Sequence, residues 1–339
     1  MQTSPSLPVL AVRAGASANI YVLWRRTGSC SHCWELTRSR YDFAPITYTS
    51  PPPNIRRVVG NPTGSVDQLV FADTSDGMAL EQSANGPDVL YVTHDAARTW
   101  TRWSLPNGAQ LMDLIAAPGG FFATERICRA KPWRCVDTSL LRAGPTASRW
   151  IATPLPDARS LGGEMVSVGA WRHDLWITGG TTRPPFAFLS SSTDDGAHFT
   201  TRADGALMSI VSCSLEAMSG NSLWAQCLGG HAFTLLHSSN VGRSWRAVPT
   251  PAPNMQGGGF APISTTTGYL DLALTQRLYL VGHDGTTLTL QGPSPFPLLD
   301  ELLFVGAEDG LAVGQTTPGS SSHAAFTRDG GRHWTIVRY

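Results

Sequence analysis

Lysine is almost absent from this 339-residue chain: Lys131 is the only one, and the remaining basic charge is arginine. Charge of either sign is scarce, at 15% of residues, and the formal net charge is zero. A protein that holds nucleic acid through its backbone phosphates needs a basic surplus, so nucleic acid is excluded as a partner. Long apolar runs are missing too, which excludes a helical membrane span. No Gly-x-x-x-x-Gly-Lys or Gly-x-Gly-x-x-Gly stretch follows a strand pattern, so a nucleotide cradle is not expected. No Gly-x-Ser-x-Gly elbow occurs. His-x-His and His-Glu-x-x-His are absent, and Cys30-Ser31-His32-Cys33 has no second Cys-x-x-Cys to complete a zinc site. The expectation is therefore no metal and no cofactor.

What the chain has is repetition. Thr327-Arg328-Asp329-Gly330-Gly331-Arg332-His333-Trp334 returns as Ser192-Thr193-Asp194-Asp195-Gly196-Ala197-His198-Phe199 and as Ser238-Ser239-Asn240-Val241-Gly242-Arg243-Ser244-Trp245. Thr93-His94-Asp95-Ala96-Ala97-Arg98-Thr99-Trp100 is a copy without its glycine, and Arg142 to Trp150 is a decayed one. Weaker copies fall near Ser39-Arg40-Tyr41-Asp42 and Leu278 to Gly285. The Asp or Asn side chain accepts from backbone N–H groups a few residues on and so closes a tight turn. Gly allows a backbone that a Cβ penalises. The aromatic residue buries apolar surface over the turn, so Trp100, Trp150, Trp245 and Trp334 are expected to be buried. These aromatic positions recur at a period of about 45–50 residues, near the length of a four-stranded unit.

A second element precedes the turn. Leu69-Val70-Phe71-Ala72-Asp73-Thr74-Ser75-Asp76-Gly77-Met78-Ala79-Leu80 matches Leu302-Leu303-Phe304-Val305-Gly306-Ala307-Glu308-Asp309-Gly310-Leu311-Ala312-Val313. An apolar run, an acidic turn ending in Gly and a second apolar run read as a β-hairpin. Pro-rich stretches at Pro51-Pro52-Pro53, Leu105-Pro106, Leu155-Pro156 and Pro249 to Pro253 punctuate the units. Seven units fit, at 1–53, 54–106, 107–156, 157–204, 205–251, 252–295 and 296–339.

The repeat Ser/Thr-x-Asp-x-Gly-x-x-Trp resembles the Asp box, or bacterial neuraminidase repeat. Over the whole chain the grammar is similar to that of small seven-bladed propellers related to the photosystem II assembly factor. The resemblance implies an all-β, seven-bladed β-propeller of four-stranded antiparallel blades. Each box would join the third and fourth strands of a blade, and ligands would bind at the face opposite the boxes. Asp95, Asp194, Asn240 and Asp329, with Trp100, Phe199, Trp245 and Trp334, are then structural. Sialidase activity is not expected. The Arg-Ile-Pro motif of that family's arginine triad is missing, Asn54-Ile55-Arg56-Arg57 does not replace it, and no tyrosine can be assigned as nucleophile.

Six cysteines fall in three local pairs, Cys30/Cys33, Cys128/Cys135 and Cys213/Cys227. An even count in local pairs predicts disulfides and an oxidising, extracytoplasmic setting. Met1-Gln2-Thr3-Ser4-Pro5 has no charged and apolar leader pattern, so the export segment would not be part of this chain.

Two stretches are candidates for chemistry. Glu125 to Cys135 reads as a long loop stapled by Cys128–Cys135, in which Arg129, Lys131 and Arg134 clamp an anion while Trp133 stacks on a sugar or side chain. Asp67, Asp113, Glu164, Asp300 and Glu301 lie near the starts of inner strands, where a glycosidase would place paired carboxylates. The leading expectation is a noncatalytic, monomeric binding or scaffold propeller for a protein or glycan. A carbohydrate-active hydrolase or lyase, and an assembly factor for a membrane complex, are the alternatives.

Overall fold

In the computed structural model, 28 strands, numbered in chain order, run from Val9 to Ile336. Side chains are described for most strand residues from Gln68 on. Residues 1–8, 48–63, 156–165, 204–211, 250–257 and 337–339, with shorter stretches and turn tips between strands, lie outside the described part. They include Cys30, Lys131, Glu164, Tyr41 and Asp42 of the weak turn copy at 39–42, and the tip of the one at 278–285; for 126–130 and 133–138 only the backbone is described.

The strands pair four at a time, in sequence order, into seven antiparallel sheets with no strand exchanged between them. Sheets 2 to 7 are six blades with described side chains, spanning 64–103, 110–154, 166–203, 212–247, 258–293 and 298–336; sheet 1 (9–47) is described by its backbone pairing. The molecule is an all-β propeller of four-stranded antiparallel blades. The first strands of neighbouring sheets lie side by side: β5 (Gly64–Phe71) against β9 (Gln110–Ala117), β9 against β13 (Val166–Trp171), β13 against β17 (Ser212–Ala217), and β21 (Gly258–Pro262) against β25 (Leu298–Phe304). β1 (Val9–Val12) touches β5 on one side and β26 (Gly310–Gln315) on the other. Sheet 1 thus meets sheet 7 without a shared strand. No helix among the described residues is long and apolar enough to cross a membrane.

The core lies in slabs between successive blades. Leu80, Leu90 and Val92 of sheet 2 pack on Leu111, Phe121 and Leu141 of sheet 3. Trp224, Phe233 and Leu235 of sheet 5 pack on Phe260, Leu270 and Leu272 of sheet 6. Strand alternation makes this possible, because neighbouring residues serve opposite faces and each blade presents one apolar face to each side.

The repeated turns explain how blades are joined at one end. In the turn before β28 (Thr335–Ile336), Thr327 Oγ1 accepts from Gly331 N at 2.9 Å and donates to Asp329 Oδ1 at 2.8 Å, while His333 N donates to Asp329 Oδ1 at 3.0 Å. Ser192/Asp194/Gly196/His198 and Ser238/Asn240/Gly242/Ser244 repeat the same bonds. In the copy without glycine, Thr93 Oγ1 still donates to Asp95 Oδ1 at 2.9 Å. Each complete turn carries two successive left-handed residues: Asp195 and Gly196, Val241 and Gly242, Gly330 and Gly331. A Cβ on Gly331 would run into Leu278 of the preceding blade, and one on Gly196 would come within 2.7 Å of Leu140 of its own preceding blade. The glycines are where one blade's turn rests on its neighbour. Replacing Thr327 by Val should therefore strand the buried Gly331 N–H, at a cost of about 1–3 kcal/mol. Denaturant titration checks this, and a midpoint equal to wild type would show that water replaces the hydroxyl.

Of the aromatic residues expected to be buried, Trp100 is, while Trp150, Trp245 and Trp334 are half-buried, as is Phe199. For Trp245 and Trp334 the expectation failed because the strand that follows is outermost and only two residues long. β20 (Arg246–Ala247) and β28 are exposed two-residue edges that leave one side of the ring in water. Trp334 packs inward on the slab that holds Leu278 and meets Phe304 edge-on at 6.2 Å.

Candidate functional site

Antiparallel pairing puts the turn between second and third strands at the end of a blade opposite the turn between third and fourth. Both candidate stretches come to this end, away from the repeated turns.

The stretch Glu125 to Cys135 is not a loop. β10 (Gly120–Ala130) and β11 (Trp133–Ala143) are 11 residues each, and they are paired out to Ala130↔Trp133. Other second and third strands run to 8 residues at most. β-branched Ile127 and Val136, in register, favour extension over a loop. Cys128 stands directly opposite Cys135, and Arg129 directly opposite Arg134. The same register places Ala130 opposite Trp133 and Ile127 opposite Val136. The side chains of Arg129, Trp133 and Arg134, like all of Lys131, lie outside the described residues. Cross-strand partners occupy the same face of a sheet whatever their sequence distance.

The inner-strand carboxylates show a regularity that residue-by-residue reading missed. Asp67, Asp113 and Asp300 each stand four residues before the end of their strand, at Phe71, Ala117 and Phe304. In each case the ladder slips there: between Val66 and Gln68, between Phe122 and Thr124 opposite Asp113, and between Leu299 and Glu301. Each aspartate is at a β-bulge, and Asp113 takes a left-handed φ of 46°. Aligning Val66-Asp67-Gln68-Leu69-Val70-Phe71 with Leu299-Asp300-Glu301-Leu302-Leu303-Phe304 would have exposed the pattern. Beside the bulge, Gln68 Oε1 accepts from Leu114 N of the next blade at 2.8 Å. Gln226 does the same between sheets 5 and 6, accepting from Phe260 N at 3.1 Å.

Two buried titratable groups also escaped the sequence. His237 lies tilted against Trp224 with ring centroids 4.2 Å apart, and its Nε2 is 2.8 Å from the Thr265 carbonyl. Burial holds its pKa below the usual histidine value. Asp271, on β22 (Gly268–Leu272), is wholly buried. Burial pushes its carboxyl up to about 7, with only Ser294 opposing. The Ser294 hydroxyl donates to the Phe296 carbonyl at 2.9 Å, and neither carboxyl oxygen of Asp271 has a hydrogen-bond partner. No cluster of three or more metal-ligating side chains occurs among the described residues.

No family model matches this sequence, and no curated protein matches it. Solved structures do match in fold. YCF48 from Cyanidioschyzon merolae is 12% identical, over 81% of this chain and 85% of that one, with a TM-score of 0.54. A catalytically inactive virginiamycin B lyase from Staphylococcus aureus is 11% identical over 96% and 97% of the two chains, at 0.61. A prolyl endopeptidase is 11% identical over 98% of this chain and 50% of its own length, at 0.62. At these identities the likeness is one of fold.

Proposed function

We propose that this chain is a seven-bladed propeller of the Asp-box type, with sheet 1 as its seventh blade. It works outside the cytoplasm by binding a protein or glycan at the end opposite the box turns. The hydrogen bonds shared by the three complete turns support the box assignment. The Cys213–Cys227 disulfide is in keeping with an oxidising compartment. The observation that carries the binding site is the overlong β10–β11 hairpin with Arg129 directly opposite Arg134. Like charges at directly opposed positions destabilise a strand pair, and an anionic partner removes that penalty. Cys128 opposite Cys135, the pair read as a disulfide, would hold the tip rigid and reduce the ordering cost of binding.

The test is binding to a polysulfated glycan and to a poly-glutamate peptide, wild type against Arg129→Glu with Arg134→Glu, at low and high salt. The double reversal should weaken binding at least tenfold at low salt and leave the melting temperature unchanged. Raised salt should narrow the difference, since screening acts on exposed charge. Equal affinity in all four conditions would remove the hairpin as the site. The bulged Asp67, Asp113 and Asp300 favour a second reading, a carbohydrate-active enzyme. Turnover of a polysaccharide that is lost in Asp113→Asn would establish it over the first.

A further inference from the structure

We propose that Asp271 is a proton-operated latch between sheets 6 and 7: with the carboxyl neutral the two blades close over it, and loss of its proton loosens β21 and β22 from β25.

The argument starts from where the side chain lies. Leu270 and Leu272 belong to the slab shared with sheet 5, and Tyr269 belongs to the slab shared with sheet 7. Alternation puts Asp271 on the Tyr269 side, facing sheet 7. Its register partners are Gly259 on β21 and Leu278 on β23 (Arg277–Val281). A Cβ on Gly259 would be 2.7 Å from Leu299 Cδ2 and 3.4 Å from Leu302 Cβ. Sheet 7 is thus pressed onto the residue next to Asp271 by two leucines. Apart from the Ser294 hydroxyl, which donates to the Phe296 carbonyl, the groups shown around it are apolar, and neither carboxyl oxygen has a hydrogen-bond partner.

Among the described residues no base compensates a negative charge there. β21 carries no titratable residue. On β23, Arg277 pairs with Leu272 and Tyr279 with Leu270, so both stand on the opposite face. On β22 itself, Tyr269 donates its hydroxyl to the Ala307 carbonyl. β25 carries Asp300, at the bulge, and Glu301, in register with Val313; both are acidic, and neither is a counter-ion. Ser294 is neutral. An ionised carboxylate left unpaired in such a place is costly, and the protein avoids the cost by keeping the proton or by opening to water.

The direction in pH follows. Below about pH 4 both the closed and the opened forms hold the proton. Between about 4 and 7 only the closed form holds it, so each pH unit favours opening by up to about tenfold. Above about 7 both are ionised and the dependence levels off. His237, in the slab between sheets 5 and 6, has the opposite sign, because its stabilisation is lost as pH falls below its usual pKa.

Hydrogen exchange of the intact chain at pH 5.5, 7.0 and 8.5 tests this, read as protection factors so that the intrinsic pH dependence of exchange cancels. Protection in Gly258–Pro262, Gly268–Leu272 and Leu298–Phe304 should fall between pH 5.5 and 7.0 by about tenfold. Val166–Trp171 and Asp174–Gly180 of sheet 4 should not change. In Asp271→Asn, a neutral residue of the same shape, the fall should vanish. A fall that persists in Asp271→Asn, or one of equal size in sheet 4, would overturn the latch. If the variant does not fold, the wild-type comparison of sheets 6 and 7 with sheet 4 decides alone, and equal protection at the three pH values counts against it.

Discussion

Replacing Trp224 by Ala should lower stability by about 3–5 kcal/mol, the largest loss expected from any single side chain of this protein. Trp224 has no exposed surface. Its ring lies 4.7 Å from Phe260 of the next blade and 4.2 Å from His237 of its own, so truncation opens the slab between sheets 5 and 6 from the middle. The strands on both sides are hydrogen-bonded ladders that cannot collapse into the gap, which keeps the cavity cost high. Trp334→Ala is the informative comparison. Trp334 closes a repeated turn but is half-buried, so its truncation should cost markedly less. Denaturant titration of both variants gives the ranking. A larger loss for Trp334 would mean that the turns, and not the slabs between blades, dominate the stability of the ring.

Removing the Cys213–Cys227 bond by a double substitution to Ala should cost about 3 kcal/mol, the amount expected from closing a loop of this size in the unfolded chain. The two cysteines are register partners on β17 and β18 (Leu223–Gly229), with a sequence separation of 14. Cys227 is fully buried beside Trp176 and Leu189 of sheet 4, so the bond is also part of a slab, and a small packing loss adds to the entropic one. Melting of the oxidised wild type, the reduced wild type and the double variant separates the two contributions. Peptide mapping under non-reducing conditions that recovers Cys213 and Cys227 as free thiols would remove both the bond and the support it lends to an oxidising compartment.

Much of the architecture was legible because it repeats. The spacing of Trp100, Phe199, Trp245 and Trp334, and the paired hairpins ending at Gly77 and Gly310, follow from local rules: a turn needs its Asp and Gly, and a strand needs its alternation. Those rules act within about ten residues, so one chain shows them directly. Cys213 and Cys227 were legible for the same reason, since adjacent strands of one blade are close in sequence.

What only the tertiary structure decided was how separate blades face one another. Whether a turn tryptophan is buried depends on how far the edge strand beside it and the neighbouring blade cover its ring. Whether Arg129, Trp133 and Arg134 form one patch depends on hairpin register, which moves a residue to the other face with each step along the chain. Asp67, Asp113 and Asp300 became equivalent once the ladders showed a bulge at each. Asp271 reads in sequence as one more polar residue in the strand Gly268-Tyr269-Leu270-Asp271-Leu272. Its burial depends on the next blade, whose Leu299 and Leu302 close over its register partner Gly259, because burial is set by surfaces that meet only when the ring has formed.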